Sequence, residues 1–173
     1  MSREFPSFTH TSAPEAARPA LSSSLRSFGA IPAPLARYAS SPLMLNTALA
    51  NLRAFEESSL SELEREILAV TMGRANGCQF CVSMHLNQLG RLRADPELVR
   101  ALRAGDALPS PRLEALRQFV LNALEKRGDV DESAFASFRE HGFDHRQALD
   151  TLLGIAAYTL TTFANRLTET SEV

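Results

Sequence analysis

SELEREILAVTMGRANGCQFCVSMH, residues 61–85, reads as two helices joined by a tight turn, and that reading decides the fold. Ser61 with Glu64, or Ser59 with Glu62, offers a capping box for the first helix. Leu60, Leu63, Ile67 and Val70 recur at helical spacing and form one apolar stripe. Asn76-Gly77 is a natural stop, because glycine adopts the left-handed conformation that ends helices. A second helix starts at about Cys78 and runs through Met84 and Leu89 to the Gly90–Arg93 region.

Working outward, the same signals repeat. Upstream, Leu43 to Phe55 carries Leu45, Leu49 and Leu52 at helical spacing. Downstream, Asp95-Pro96 and Ser110-Pro111 each pair an N-cap residue with proline at the first helical position. The first opens a short helix ending near Gly105. The second opens a longer one with Leu113, Leu116, Phe119, Val120, Ala123 and Leu124 on its face, closed by Gly128. Asp131 caps a helix with Phe135 and Phe138, closed by Gly142, and Asp144 caps a last helix running to about Thr168. No segment alternates apolar and polar residues as a strand does. The expected fold is all-α, a helical bundle built around the antiparallel pair that carries Cys78 and Cys81. Residues 1–40, with Pro6, Pro14 and Pro19 among serines and alanines, are expected to be a loosely held arm with short helical segments; residues 41–173 form the helical domain.

The last helix has almost no polar face between Thr151 and Ala164, and a helix apolar all round must be covered all round. It therefore packs partly against another subunit, or lies at the centre of its own.

Bulk properties exclude several classes. The 173 residues suit one domain, and 45% hydrophobic with 22% charged residues suits a packed core. A net charge of −2 with no basic tract argues against a nucleic-acid partner. No apolar leader is visible, and the Thr151–Ala164 stretch is shorter than the roughly 20 residues of a membrane span. The reading is a soluble protein of a reducing cytoplasm. There, two cysteines three positions apart are catalytic or metal-binding more readily than structural.

Cys78, Cys81 and His85 lie at i, i+3 and i+7, on one helical face. Both sulfurs fall in the first turn, where unpaired backbone N–H groups and the helix dipole stabilise a thiolate, the nucleophilic form. His85 can hydrogen-bond Cys81 or relay its proton. On the preceding helix Glu66 falls between Leu63 and Val70 by angle and points into the apolar stripe, unless it snorkels to solvent. With the helices antiparallel, Glu66 lies about 15 Å and His85 about 12 Å from the turn, nearly level, so a contact that orients the imidazole is expected.

Glu66, eleven residues, then Cys78-x-x-Cys81-x-x-x-His85 resembles the alkylhydroperoxidase D and carboxymuconolactone decarboxylase superfamily, in its peroxidase-related branch. The likeness extends from about Pro42 to the Asn165 region, where relatives often carry a helix asparagine near the site. The resemblance implies an AhpD-like helical bundle and a homo-oligomer that reduces hydroperoxides or disulfides with no bound metal or flavin. It implies further that Cys81 attacks the peroxide and becomes a sulfenic acid, and that Cys78 resolves it to a disulfide. An external dithiol, a lipoyl protein or thioredoxin-like, reduces that disulfide, and His85 and Glu66 form the proton relay. One position departs. The alkylhydroperoxidase pattern has a histidine between the cysteines where this chain has Phe80, an aromatic closer to the peroxidase-like relatives, which removes one proton carrier. The decarboxylase branch fits poorly, since its chemistry does not use the cysteine pair. Alternatives from the residues alone are a thiol redox sensor without turnover, two cysteines buried as small hydrophobes, and a zinc site in which His141 or His145 joins Cys78, Cys81 and His85.

Overall fold

The computed structural model describes residues 4–169, and the regular secondary structure among them is helical throughout. A 3-10 turn at Glu15–Ala17 precedes α1 (Arg18–Phe28), α2 (Ala33–Tyr38), α3 (Pro42–Glu56), α4 (Glu62–Ala75), α5 (Gln79–Arg91), α6 (Pro96–Ala104), α7 (Pro111–Glu125), α8 (Glu132–Glu140) and α9 (His145–Leu167). None of these helices is long and apolar enough to cross a membrane.

Local chemistry sets most helix starts. Ser61, not Ser59, caps α4. Its hydroxyl accepts the Glu64 N–H at 3.3 Å, and the Glu64 carboxylate accepts the Ser61 N–H at 2.8 Å. Ser59 is taken by α9 instead, donating its N–H to the Asp150 carboxylate at 2.7 Å. The side chains of Asp95, Ser110 and Asp144 cap α6, α7 and α9. Asp131 precedes α8 without a side-chain cap bond, because its carboxylate accepts from the Asn122 amide at 2.7 Å and closes the α7–α8 connection.

The centre of the bundle is α4, packed against α5, α7 and α9. Its Leu68 and Met72 face a core with Phe55, Leu116, Phe119, Phe138 and Phe143. Its Ile67 and Val70 face a second core with Val82, Leu86, Leu89, Leu98 and Leu102. The stripe read from sequence is thus one of two buried faces.

A central place for α9 is therefore not what the chain adopts. Along α3 and α4 it buries mainly small and polar residues: Thr151, Gly154, Ala157, Thr161, Thr162 and Asn165. Leu149, Leu152, Phe163 and Leu167 turn outward, with Phe163 57% exposed. Small residues let the helix axes approach closely, and large apolar ones are left on the far side.

Within residues 4–40 the chain packs into the fold. Ala13, Ala17, Leu21, Leu35 and Tyr38 are buried with Leu45 and Ala48, against Leu160 and Ala164 of α9. Prolines at the starts of α1 and α2 pre-set the helical backbone there, so these prolines nucleate helices and do not prevent them.

Gly154 marks the tightest α9 contact. A β-carbon there would lie 2.5 Å from Phe55 Cε2 and 2.9 Å from Leu68 Cδ1. Gly154→Ala is expected to destabilise the fold by about 1–3 kcal/mol through overpacking, read as a lower midpoint in urea. An unchanged midpoint would show that Phe55 yields without cost.

Candidate functional site

The site begins with a backbone constraint. Gly77, at φ +67°, ends the turn after α4 and delivers Cys78 to the N-cap of α5. The Cys78 N–H donates to the Gly73 carbonyl at 2.8 Å, so α5 starts directly against the last turn of α4. A β-carbon at Gly73 would sit 3.2 Å from the Val82 nitrogen and 3.3 Å from Cys81 Cβ. Only a residue without a side chain leaves room for that approach.

Cys78 and Cys81 are joined by a disulfide, with their Cα atoms 5.4 Å apart. The sulfur of Cys78 accepts the Cys81 backbone N–H at 3.3 Å, serving as the helix cap. Both cysteines are 3% exposed.

Glu66 and His85 meet as their levels on the hairpin require, with Oε2 2.8 Å from Nδ1. An ionised carboxylate only accepts, so Nδ1 carries the hydrogen and Nε2 presents its lone pair. That Nε2 is buried and has no partner among the described residues. Tyr158 of α9 sets its ring edgewise against the imidazole, centroids 5.1 Å apart. Burial, reinforced by the Glu66 charge, pushes the Tyr158 hydroxyl well above its ordinary range, so it stays protonated.

A third side of the site comes from α9 and α2. Asn165 directs Nδ2 at the Cys81 sulfur, 3.3 Å away, and stands 4.0 Å from that of Cys78. Its Oδ1 accepts a short hydrogen bond from the Tyr38 hydroxyl, which also reaches the Thr161 carbonyl at 3.0 Å. Burial raises the Tyr38 hydroxyl in the same way. The turn itself is tied to α9: Asn76 Nδ2 donates to Thr162 Oγ1 at 2.9 Å, and the Arg166 guanidinium donates to the Asn76 carbonyl at 2.8 Å.

Of the four residues singled out from the sequence, the structure bonds Cys78 to Cys81 at the turn of the α4–α5 hairpin and pairs Glu66 with His85 farther along it. Tyr38, Tyr158, Thr162 and Arg166 were not singled out. For three of them a signal existed, since Tyr158, Thr162 and Arg166 stand four apart on an otherwise apolar helix, with Asn165 beside them. The other histidines do not join the cysteines. His141 ends α8 with Nδ1 2.8 Å from the Ser137 carbonyl, and His145 opens α9 beside Phe135. Among the described residues no group of three or more His, Cys, Asp or Glu side chains could hold a metal ion.

Known proteins resemble this chain in sequence and fold. The pattern of the carboxymuconolactone decarboxylase family matches residues 43–125. Over 103 residues the chain is 26% identical to the uncharacterized protein YdfG of Bacillus subtilis, covering 57% of this chain and 68% of that one. A peroxidase-related protein with an alkylhydroperoxidase AhpD core from Ralstonia eutropha superimposes with a TM-score of 0.81 at 24% identity, over 94% of this chain and 88% of the other. A peroxidase-related protein from a Silicibacter species gives 0.75 at 25% identity, over 91% and 84%. A putative antioxidant defence protein AhpD from Agrobacterium tumefaciens gives 0.67 at 18% identity, over 79% and 94%.

The two tyrosines of the site are the only two in the chain, which has a single lysine. Both hydroxyls are raised above their ordinary 10.0 in the folded state. The folded state then holds protons that the unfolded state loses above pH 10, so this stability is complete below that pH and falls as pH rises beyond it. Thermal melts of the oxidised protein should drop above pH 10, and tyrosinate absorbance should appear together with unfolding. Tyrosinate appearing in the intact fold near pH 10 would contradict this.

Proposed function

We propose that the chain, whose residues 43–125 match the carboxymuconolactone decarboxylase family and whose fold is shared with peroxidase-related proteins, is a thiol-dependent oxidoreductase that reduces hydroperoxides at the expense of an external dithiol. One observation carries the reading: a bonded Cys78–Cys81 pair at the head of α5, one turn from an imidazole whose far nitrogen is paired to a carboxylate.

Each part has a task in the cycle. In the dithiol state His85 Nε2 accepts the Cys81 thiol proton, and Glu66 holds the imidazole in the tautomer that can do so. That nitrogen has no partner among the described residues, which leaves it able to accept a proton. The Cys81 thiolate attacks the outer peroxide oxygen, the O–O bond breaks, and the alkoxide leaves as an alcohol with the proton from His85. Cys81 is then a sulfenic acid. The Cys78 thiol attacks its sulfur, expelling water and forming the disulfide. A dithiol such as a reduced lipoyl group exchanges with that disulfide, restoring both thiols and becoming a disulfide itself. The sum is hydroperoxide plus dithiol giving alcohol, water and disulfide.

The outward face of α9 belongs to the same proposal. Met44, Leu160, Phe163 and Leu167 line a shallow apolar groove, and a second copy of the chain is the partner that a homo-oligomer supplies.

Stoichiometry tests the reading first. One equivalent of organic hydroperoxide should lower the free thiols of the reduced protein from two to zero, the chain having two cysteines. Persistent thiols, or oxidation without turnover when dihydrolipoamide is supplied, would reject peroxide reduction, the latter in favour of a redox sensor. Cys81→Ser should abolish turnover, and Cys78→Ser should leave a trappable sulfenic acid. Glu66→Gln should slow the reaction roughly 100-fold, in line with loss of acid–base assistance. Because the sulfurs are 3% exposed, dihydrolipoamide should reduce the pair faster than a thioredoxin-like protein does. Equal rates would count against access through a narrow opening.

A further inference from the structure

The two sulfurs are served by different donors. Cys78 receives the Cys81 backbone N–H at 3.3 Å, whereas the carboxamide of Asn165 lies nearer to Cys81, at 3.3 Å, than to Cys78, at 4.0 Å. A carboxamide can turn over, exchanging its nitrogen and oxygen. Turned over, Asn165 would present an oxygen to Cys81, and a thiolate or disulfide sulfur has no hydrogen to give it. The orientation therefore decides whether Asn165 stabilises negative charge on Cys81 or opposes it.

Tyr38 is the group that can enforce one orientation. Its hydroxyl has a single hydrogen and two acceptors within reach, Asn165 Oδ1 and the Thr161 carbonyl. Thr161 stands four residues before Asn165, so one lone pair of its carbonyl is already used by the α9 backbone ladder, whereas both lone pairs of Oδ1 are open to Tyr38. Both residues are buried, Tyr38 at 5% and Asn165 at 5% exposure, so no solvent competes for these bonds. Tyr38 precedes the stretch that matches the family, residues 43–125, and Asn165 follows it. Neither belongs to the Glu66, Cys78, Cys81, His85 pattern.

We infer that Tyr38 is a positioning residue that locks the Asn165 carboxamide with its nitrogen toward the cysteines, and thereby assigns the negative charge of the reduced pair to Cys81. The inference rests on the reading of Cys78 and Cys81 as working thiols and goes beyond it, making the segment before the matched family region part of the site. In the reduced protein Asn165 Nδ2–H is a charge-assisted donor to the Cys81 thiolate. Without the Tyr38 hydroxyl only the sulfur itself favours that orientation, and Oδ1 loses the donor that holds it. The other charged or titratable groups around the pair are Glu66 on α4, His85 on α5, and Tyr158 and Arg166 on α9. None of these is altered in the comparison that follows, so a difference between variants belongs to the Tyr38–Asn165 pair.

The test uses the full chain carrying Cys78→Ser, so that Cys81 is the sole thiol, and follows its iodoacetamide alkylation rate against pH. Tyr38→Phe should raise the midpoint by about one pH unit, roughly a tenfold loss of thiolate below it. Asn165→Leu, which keeps the shape and removes the donor, should raise it at least as far. Tyr38→Phe added to Asn165→Leu should shift it no further, since the hydroxyl acts through the carboxamide. A Tyr38→Phe profile superimposable on the parent overturns the inference, as does a Tyr38→Phe shift that persists in Asn165→Leu. If Tyr38→Phe does not fold, Asn165→Leu decides alone, and an unmoved midpoint is then the overturning result. Alkylation consumes no peroxide, so absent turnover with a shifted midpoint defeats the peroxidase reading and leaves this inference standing, whereas turnover with unmoved midpoints does the reverse.

Discussion

At Gly73 two helix backbones come so close that a single β-carbon would crowd both Cys81 and Val82. The rest of the site depends on that approach. It lets the Gly73 carbonyl take the Cys78 N–H, which fixes where α5 begins. Once that start is set, the helical repeat leaves no freedom: Cys81 falls in the first turn, facing α9, and His85 falls level with Glu66. A register slip of one residue would rotate all three side chains by about 100° and separate the carboxylate from the imidazole. Three chemical groups are thus placed by one steric condition.

The remaining wall comes from α9, and there one turn of helix has two jobs. Thr162 and Asn165 face inward and, with the exposed Arg166 guanidinium, hold the turn and the sulfurs, while Phe163 and Leu167 face outward from the same turn. Whatever covers the outer face rests on the same backbone that aims Asn165. The proposed association and the proposed thiol chemistry would therefore share one helical turn.

What could be read in the sequence and what could not divide along contact distance. Helix starts at Ser61, Asp95, Ser110 and Asp144 are set by side chains within three residues, so they are visible in short windows. The Glu66–His85 contact spans 19 positions but lies inside one hairpin, and helical rise alone brings the two level. The choice between Ser59 and Ser61 could not be made locally, because Ser59 is claimed by Asp150, which is 91 residues away. Tyr38 and Asn165 are 127 positions apart, and nothing in either neighbourhood points to the other. Which of the two placements α9 takes could not be read locally for the same reason. Its segment is the most evenly apolar in the chain, yet the centre was taken by α4, whose two buried faces no single stripe revealed.

The covalent link at the head of α5 spans a sequence separation of only three. Closing so small a ring removes little freedom from an unfolded chain, about 2 kcal/mol on the loop-entropy relation, against about 4.7 kcal/mol for a hundred-residue loop. Making or breaking it therefore shifts the stability of the molecule by less than half of what a long-range link would. If the staple is also the working part, as proposed, its opening costs the scaffold far less than the loss of a bond between distant segments.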